Sequence, residues 1–285
     1  MDVAGLLKEV EFLLPQKEAK REAQILVAHY LGCGPGALAF KLKDSAGESL
    51  IKKVGQAIVC RQKGEPIQYI IEEQEFYSRT FMVNSHVLIP RGDTEVLIDA
   101  ALIRLPEDEF CRVADIGTGS GVIAITLACQ RPDAQIYATD ISRDALVVAE
   151  DNACRHQVEE RIHFRQGDLL EPLEDKDFHL IVSNPPYIPT KDLAELAPEL
   201  AFEPELALDG GVDGLEYYRC LAKEAPKYLV DEGWLLVETG YDQAKRVVAI
   251  LQETGYENIV EGKDWAGRPR FVAGSHPKNK QIDEN

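Results

Sequence analysis

The chain has 285 residues, 45% hydrophobic and 28% charged, which places it with globular proteins that bury a sizeable core and away from disordered and membrane-spanning classes. Its formal charge of -18 is unevenly spread: residues 1–75 carry 10 Lys/Arg against 11 Asp/Glu, and residues 76–285 carry 21 against 38. A field of that sign repels a phosphate backbone, so nucleic acid is disfavoured as a substrate.

From Leu6 to about Ile71 apolar residues recur at three- and four-residue spacing, as in Leu6, Leu7, Val10 and again in Leu50, Ile51, Val54, Ile58, which predicts helices. Breaks at Pro15, Gly32 to Gly36 and Gly64 to Pro66 divide them into a small bundle over residues 1–75. Phe76, Tyr77, Phe81, Val83 and Val87 have strand character, and residues 76–90 read as a hairpin connecting two domains. Beyond Cys111, apolar strands alternate with helical stretches, the pattern of an α/β domain with a largely parallel sheet. The strands fall at Arg112–Ile116, Gln135–Thr139, Ile162–Arg165, Leu180–Ser183 and Trp234–Glu238, with two more around Asn258–Val260 and Arg270–Ala273. Residues 91–275 form this domain, and the polar residues 276–285 read as a disordered tail.

Cys33, Cys60, Cys111, Cys129, Cys154 and Cys220 make no Cys-x-x-Cys pair and have no zinc-finger spacing to His. Buried, reduced thiols and no metal are expected. With no basic-then-apolar leader and no membrane-length apolar run, the expectation is a cytoplasmic protein without membrane contact.

Two motifs carry chemistry. Val113 to Gly121 reads VADIGTGSG: a buried strand, an acid and alternating glycines ahead of the helical run Val122 to Gln130. Gly117, Gly119 and Gly121 let the backbone turn sharply and approach a ligand. Val122 stands where a dinucleotide fingerprint needs its third glycine, which argues against NAD. Asp140, at the end of the next strand, suits the two hydroxyls of a ribose, and Asp168 suits an adenine amino group. A glycine turn alone serves equally as a tight connection and Asp140 alone as a helix cap; together at strand ends they describe an adenosyl pocket.

The second motif is Asn184-Pro185-Pro186-Tyr187, closing an apolar strand. Two prolines stiffen the chain and remove two donors, leaving free carbonyls. A planar NH2 group here could donate to the Asn184 side-chain oxygen and the Pro185 carbonyl while Tyr187 packs on its face. An amide nitrogen is a poor nucleophile, and two acceptors orient it and stabilise its developing positive charge. The catalytic candidates are therefore Asn184, Pro185 and Tyr187; Pro186 completes the substrate site, and Asn184 also borders the cofactor.

With these motifs go GEPIQYI (Gly64 to Ile70), LIPRGDTE (Leu88 to Glu95), FEPELALDGGVDGLEYYR (Phe202 to Arg219) and DWAGRPR (Asp264 to Arg270). Together they resemble the release-factor glutamine N5-methyltransferases, the HemK/PrmC family. The resemblance implies a class I S-adenosylmethionine-dependent methyltransferase, Rossmann-like with a seven-stranded, mostly parallel sheet, behind a helical substrate-recognition domain. It implies S-adenosylmethionine as cofactor, held by Gly117, Thr118, Gly119, Ser120, Gly121, Asp140, Asp168 and Leu169. The partner it implies is a class I peptide chain release factor, methylated on the glutamine of its Gly-Gly-Gln motif. The chain departs from the family in having Gly92 in place of a proline, which predicts a looser loop around Arg91 and Glu95. Competing readings are an adenine N6-methyltransferase acting on a flipped base, a glutamine methyltransferase of a ribosomal protein, and a non-catalytic S-adenosylmethionine-binding module. The acidic catalytic domain weighs against the first, and the intact Asn184 to Tyr187 segment against the last.

Overall fold

The computed structural model describes residues 1–15, 18–34, 36–107, 109–174 and 176–278. The chain divides into two compact units: Met1–Glu73 with Ala197–Phe202, and Gln74–Leu196 with Glu203–Asn285.

The first unit holds helices α1 (Val3–Leu13), α2 (Ala19–Tyr30), α3 (Glu48–Gln62) and α4 (Ile67–Ile71). Asp2 starts α1 by accepting from the Gly5 N–H at 2.8 Å, which satisfies an otherwise orphaned donor. The periodic apolar residues meet in one core, with Val3, Leu6 and Val10 packed among Ala23, Leu26, Val27, Val54, Ala57 and Ile58. One ion pair is buried with them. The Arg61 guanidinium donates twice to Glu22, both bonds at 2.9 Å, and also pairs with Glu199. Glu199 lies 138 residues further along the chain, so no local pattern announces it. Arg61→Ala should cost this unit about 3–5 kcal/mol, because it strands the Glu22 carboxylate among apolar neighbours. Urea denaturation followed through the helical signal checks this, and a loss under about 1 kcal/mol would mean that water reaches the abandoned carboxylate.

In the second unit the hairpin consists of β1 (Glu73–Phe76) and β2 (Arg79–Met82), a correction to the expected span of 76–90. Its two-residue turn places Tyr77 and Ser78 at φ 50° and 57°, without the Asn-Gly signal such turns favour. Glu95 compensates by accepting from the Tyr77 N–H at 2.7 Å, and Asp99 by accepting from its hydroxyl at 2.8 Å. Val83, Val87 and Ile89 mimic a strand because they are buried, yet they lie outside the ladder.

The main sheet contains β3 (Cys111–Ile116), β4 (Ala134–Asp140), β5 (Ile162–Gln166), β6 (Phe178–Ser183), β7 (Leu229–Glu238), β8 (Glu257–Lys263) and β9 (Pro269–Ser275). Their spatial order is β5-β4-β3-β6-β7-β9-β8. The first five run parallel, and β9 pairs antiparallel with both β7 and β8. Helices α5 (Glu95–Arg104), α6 (Val122–Gln130) and α7 (Arg143–Arg155) cover one face, while α8 (Glu216–Glu224) and α9 (Ala244–Glu253) cover the other. Alternate strand residues serve the two cores, Val113 and Leu180 in one, Ala114 and Ile181 in the other. Strands buried on both faces read as continuous apolar runs, which is why the central ones are legible in the sequence.

From β3 the chain winds out to β4 and β5, then returns to β6 on the other side of β3. Such a reversal opens a crevice at the carboxyl ends of the strands, where open α/β sheets bind ligands. Two expectations about the periphery change. The tail begins tied down, since the His276 N–H donates to the Gly233 carbonyl at 2.6 Å and Lys278 pairs with Glu232 at 3.0 Å; residues 279–285 lie outside the described residues. Of the six free cysteines only Cys111 is fully buried, and Cys154 and Cys220 are exposed on the outer sides of α7 and α8.

Candidate active site

The turn after β3 is built around Asp115. Its Oδ2 accepts from the Thr118 hydroxyl at 2.6 Å and the Ala124 N–H at 3.0 Å, which bends the chain between strand and α6. Asp115 is fully buried, and desolvation pushes its carboxyl up to about 7. Asn152 on α7 donates to the carbonyls of both Ser120 and Met82 at 2.9 Å, pinning the turn and the end of the hairpin together. Sequence reasoning assigned no role to either residue; the acid inside VADIGTGSG was the signal for Asp115.

The three glycines differ in function. Gly117 and Gly119 have φ of 71° and 56°, and a Cβ added to either would meet no atom within 4 Å. Both line a cavity, together with Thr118 and Ser120. Gly121 is not among the residues that line it. A Cβ there would stand 2.8 Å from the Ile125 side chain and 3.1 Å from that of Ala149, so this glycine lets α6 and α7 pack closely.

Asp140 reaches the same cavity from the end of β4. Its Oδ2 accepts from the Gly119 N–H and its Oδ1 from the Ser142 N–H, each at 2.9 Å. A carboxylate oxygen accepts two hydrogen bonds, so one lone pair on each oxygen remains for a ligand. Burial raises the Asp140 pKa against the pull of these N–H donors. Asp168 and Leu169 line the cavity after β5. Leu169 sits at φ 46°, its carbonyl accepting from the Thr139 hydroxyl at 2.8 Å. Ile141 and Ala145 add apolar wall.

Asn184, Pro185 and Pro186 enter the cavity from the end of β6, opposite the glycine turn. The Ser183 hydroxyl donates to the Ile116 carbonyl at 2.7 Å, locking the ends of β6 and β3 together. Tyr187, expected on the substrate face, is not part of the lining; it packs against the core under α8 and α9. Burial, then the nearby Glu238, pushes its phenol up to about 12, so it stays neutral. Its carbonyl accepts from the Gln243 side-chain amide at 2.8 Å.

A third wall, for which composition and periodicity gave no signal, comes from Pro90, Arg91, Thr94, Leu206, Ala207 and Tyr217. Arg91 pairs with Glu203, whose carboxylate is 2% exposed and also accepts from the Ile89 N–H at 3.2 Å. Asp93 pairs with Arg270 at 2.8 Å. These ion pairs hold the loop around Gly92 where the family has a proline. Among the described residues no His/Cys/Asp/Glu cluster could hold a metal ion, and no helix is long and apolar enough to cross a membrane.

A seven-stranded sheet whose penultimate strand, β9, is reversed, a glycine turn after the first parallel strand and an acid after the second define a class I S-adenosylmethionine-dependent methyltransferase. Comparison with known proteins agrees. Residues 93–203 match the Methyltransferase small domain and residues 5–71 the PrmC N-terminal domain. The release factor glutamine methyltransferase of Geobacter sulfurreducens is 42% identical over 90% of this chain and 90% of its own length. That of Coxiella burnetii is 45% identical over 78% and 79%, and that of Aquifex aeolicus 36% over 95% and 94%. Among solved structures, the hMettl16 catalytic domain bound to MAT2A 3'UTR hairpin 1 aligns with TM-score 0.56 at 13% identity, covering 84% of each chain. A methyltransferase from Pyrococcus furiosus aligns with TM-score 0.50 at 15% identity, covering 69% of this chain and 88% of its own. Identities that low speak for the fold alone. The chain belongs to the release factor glutamine methyltransferase family.

Proposed function

We propose that this chain transfers the methyl group of S-adenosylmethionine to the side-chain amide nitrogen, N5, of the glutamine in the Gly-Gly-Gln loop of a class I peptide chain release factor. The observation that carries this reading is the entry of Asn184 and Pro185 into the same cavity as Gly117, Gly119 and Asp140.

The residues fit the cofactor. Gly117 and Gly119 leave open the space a Cβ would fill, so its backbone-hugging portion would lie there. The free lone pairs of Asp140 suit ribose hydroxyls, and the Asp168-Leu169 corner with Ile141 suits an adenine. S-adenosylmethionine supplies an activated methyl group on a sulfonium. The protein's share is to bind the glutamine amide, aim its nitrogen and hold its hydrogens. Asn184 Oδ1 and the Pro185 carbonyl take one hydrogen each, drawing positive charge off the nitrogen as it becomes tetrahedral. The prolines contribute no N–H that would compete. No general base is needed beforehand, since the proton becomes acidic only after the new N–C bond forms. The helical unit, which carries none of the cavity residues, is assigned recognition of the protein substrate.

Asp140→Ala should weaken S-adenosylmethionine binding by about 1–3 kcal/mol through loss of charge-assisted hydrogen bonds. Calorimetry on the folded variant decides it, and unchanged affinity would remove Asp140 from the cofactor site. The function itself is tested by incubating the protein with release factor, with its Gln→Asn variant and with adenine-containing DNA, then locating methyl groups by mass spectrometry. Methylated glutamine in the first alone is expected; methyl on adenine, or equal transfer to the variant, would overturn the reading.

A further inference from the structure

Large aromatic side chains are ordinarily drawn inward, but the loop between β8 and β9 holds Trp265 83% exposed. The loop itself is tightly fastened. Buried Asp264 accepts through Oδ1 from the Ala266 and Arg268 N–H groups, each at 2.9 Å. Its own N–H donates to the Arg268 carbonyl at 2.8 Å, and its carbonyl accepts from the Gly267 N–H at 2.9 Å. An aromatic ring presented on so fixed a loop has already lost much of the backbone freedom that docking would otherwise cost. Tryptophan and tyrosine are enriched among the residues that anchor protein interfaces.

Hydrogen bonds and ion pairs tie this loop to the acceptor end of the cavity. Asp264 Oδ2 accepts from Arg270 at 3.2 Å, and Arg270 also pairs with Asp93 at 2.8 Å. Asp93 precedes Thr94, whose Oγ1 accepts from Asn184 Nδ2 at 3.4 Å. Strand register gives the same placement. Ser183 is level with Val237, Val237 with Val272 and Val272 with Glu261, so the chain beyond Lys263 leaves the sheet at the same end as Asn184. Two to three strands separate them, roughly 10–14 Å. Tyr241, 67% exposed, leaves the intervening strand β7, just after Thr239, whose N–H donates to the Arg270 carbonyl at 2.7 Å. Asp140 and Asp168 follow β4 and β5, on the other side of β3. The two exposed rings therefore flank the acceptor half of the site, away from the half assigned to adenosine.

Resting on the function proposed above, we infer that Trp265 and Tyr241 form a docking surface for the release factor, on which the chain flanking the acceptor glutamine lies as it leaves the cavity. An extended chain crosses the interval in about three or four residues. The excess of 38 Asp/Glu over 21 Lys/Arg across residues 76–285 favours basic flanks, and Lys or Arg heads also bind aromatic faces. A second copy of this chain carries the same charge of -18 and is repelled.

The test varies intact release factor at saturating S-adenosylmethionine for wild type, Trp265→Ala, Tyr241→Ala and Ile103→Ala. Ile103 is 82% exposed at the end of α5, toward the opposite edge of the strands, and serves as the control. Trp265→Ala should raise KM for release factor by at least about 10-fold with kcat within about twofold of wild type. Tyr241→Ala should raise KM to a smaller extent, and Ile103→Ala should leave it unchanged. Calorimetric binding of S-adenosylmethionine confirms that each variant is folded. The chain has two tryptophans, so in protein labelled with 5-fluorotryptophan the Trp265 fluorine resonance, identified by its absence in Trp265→Phe, should shift when release factor is added. That of Trp234, which packs in the core under Arg104, should stay. A Trp265→Ala KM within twofold of wild type, an equal rise in Ile103→Ala, or a Trp265 resonance unmoved by saturating release factor would each overturn the docking surface. So would a Trp265→Ala variant that only changes the oligomeric state. If wild type transfers no methyl to release factor, the proposed function itself falls; transfer by wild type with Trp265→Ala unaffected removes the docking surface alone.

Discussion

Asn184→Ala should lower kcat by about two orders of magnitude or more and leave S-adenosylmethionine binding nearly unchanged. Its side chain is the only side-chain acceptor that the Asn184 to Pro186 segment brings into the cavity; the prolines contribute carbonyls alone. The contacts that would hold the cofactor, at Gly117, Gly119, Asp140 and the Asp168-Leu169 corner, lie on other strands' loops. An acceptor that strengthens its hydrogen bond only as charge develops on nitrogen affects the transition state more than the bound state, so kcat should fall with KM little altered. Single-turnover kinetics with labelled cofactor, paired with calorimetry, separates the two effects. Normal binding with near-wild-type turnover would reduce the segment to a turn.

Gly210→Ala is expected to have a comparable effect from outside the cavity. A Cβ at Gly210 would stand 2.7 Å from the Tyr187 Cα, 2.8 Å from its carbonyl carbon and 2.9 Å from the Pro186 oxygen. These are backbone atoms, so no side-chain rotation relieves the clash. The main chain on both sides is fixed, the Gly210 N–H donating to the Ile188 carbonyl at 2.8 Å and the Gln243 amide holding the Tyr187 carbonyl at 2.8 Å. Gln243, 2% exposed, is itself anchored: its NH2 also donates to the Gly214 carbonyl at 3.1 Å, and its oxygen accepts from the Gly240 N–H at 3.1 Å. The added methyl must therefore displace Pro186 and Tyr187. A shift of about 1 Å at a positioned amide costs on the order of 100-fold in rate. The variant should bind cofactor with ordinary affinity and turn over at least that much more slowly; an unchanged kcat would mean that the segment yields without moving Asn184.

Local pattern made the parallel strands and the glycine turn legible, because both are written in consecutive residues. It also made Asn184 to Pro186 legible, since an apolar strand ending in paired prolines has few physical readings. Strand ends were harder. The first half of β7 carries Asp231, Glu232 and Gly233, with Glu232 at φ 62°, and so reads as a turn; β8 is an exposed edge strand whose polar residues conceal its length. Tyr187 illustrates another limit: the motif places an aromatic ring after the prolines, but its direction is set by Gly210, Gly214 and Gln243, far off in sequence. Glu203 and Gln243 were given no role of their own for the same reason, since each acquires one only through partners that the fold brings near.

The reversal of the chain between β3 and β6 has a consequence for redesign. The turn that would cradle the cofactor and the segment that would hold the acceptor leave adjacent, register-locked strands in opposite directions. The walls contributed by Pro204, Leu206, Ala207 and Tyr217 belong wholly to the second path. Donor and acceptor specificities are thus separable modules hinged on one strand pair. Altering which amide is accepted is a matter of redrawing the loop between β6 and α8, while the glycine turn, Asp140 and the Ser183 to Ile116 hydrogen bond are left untouched.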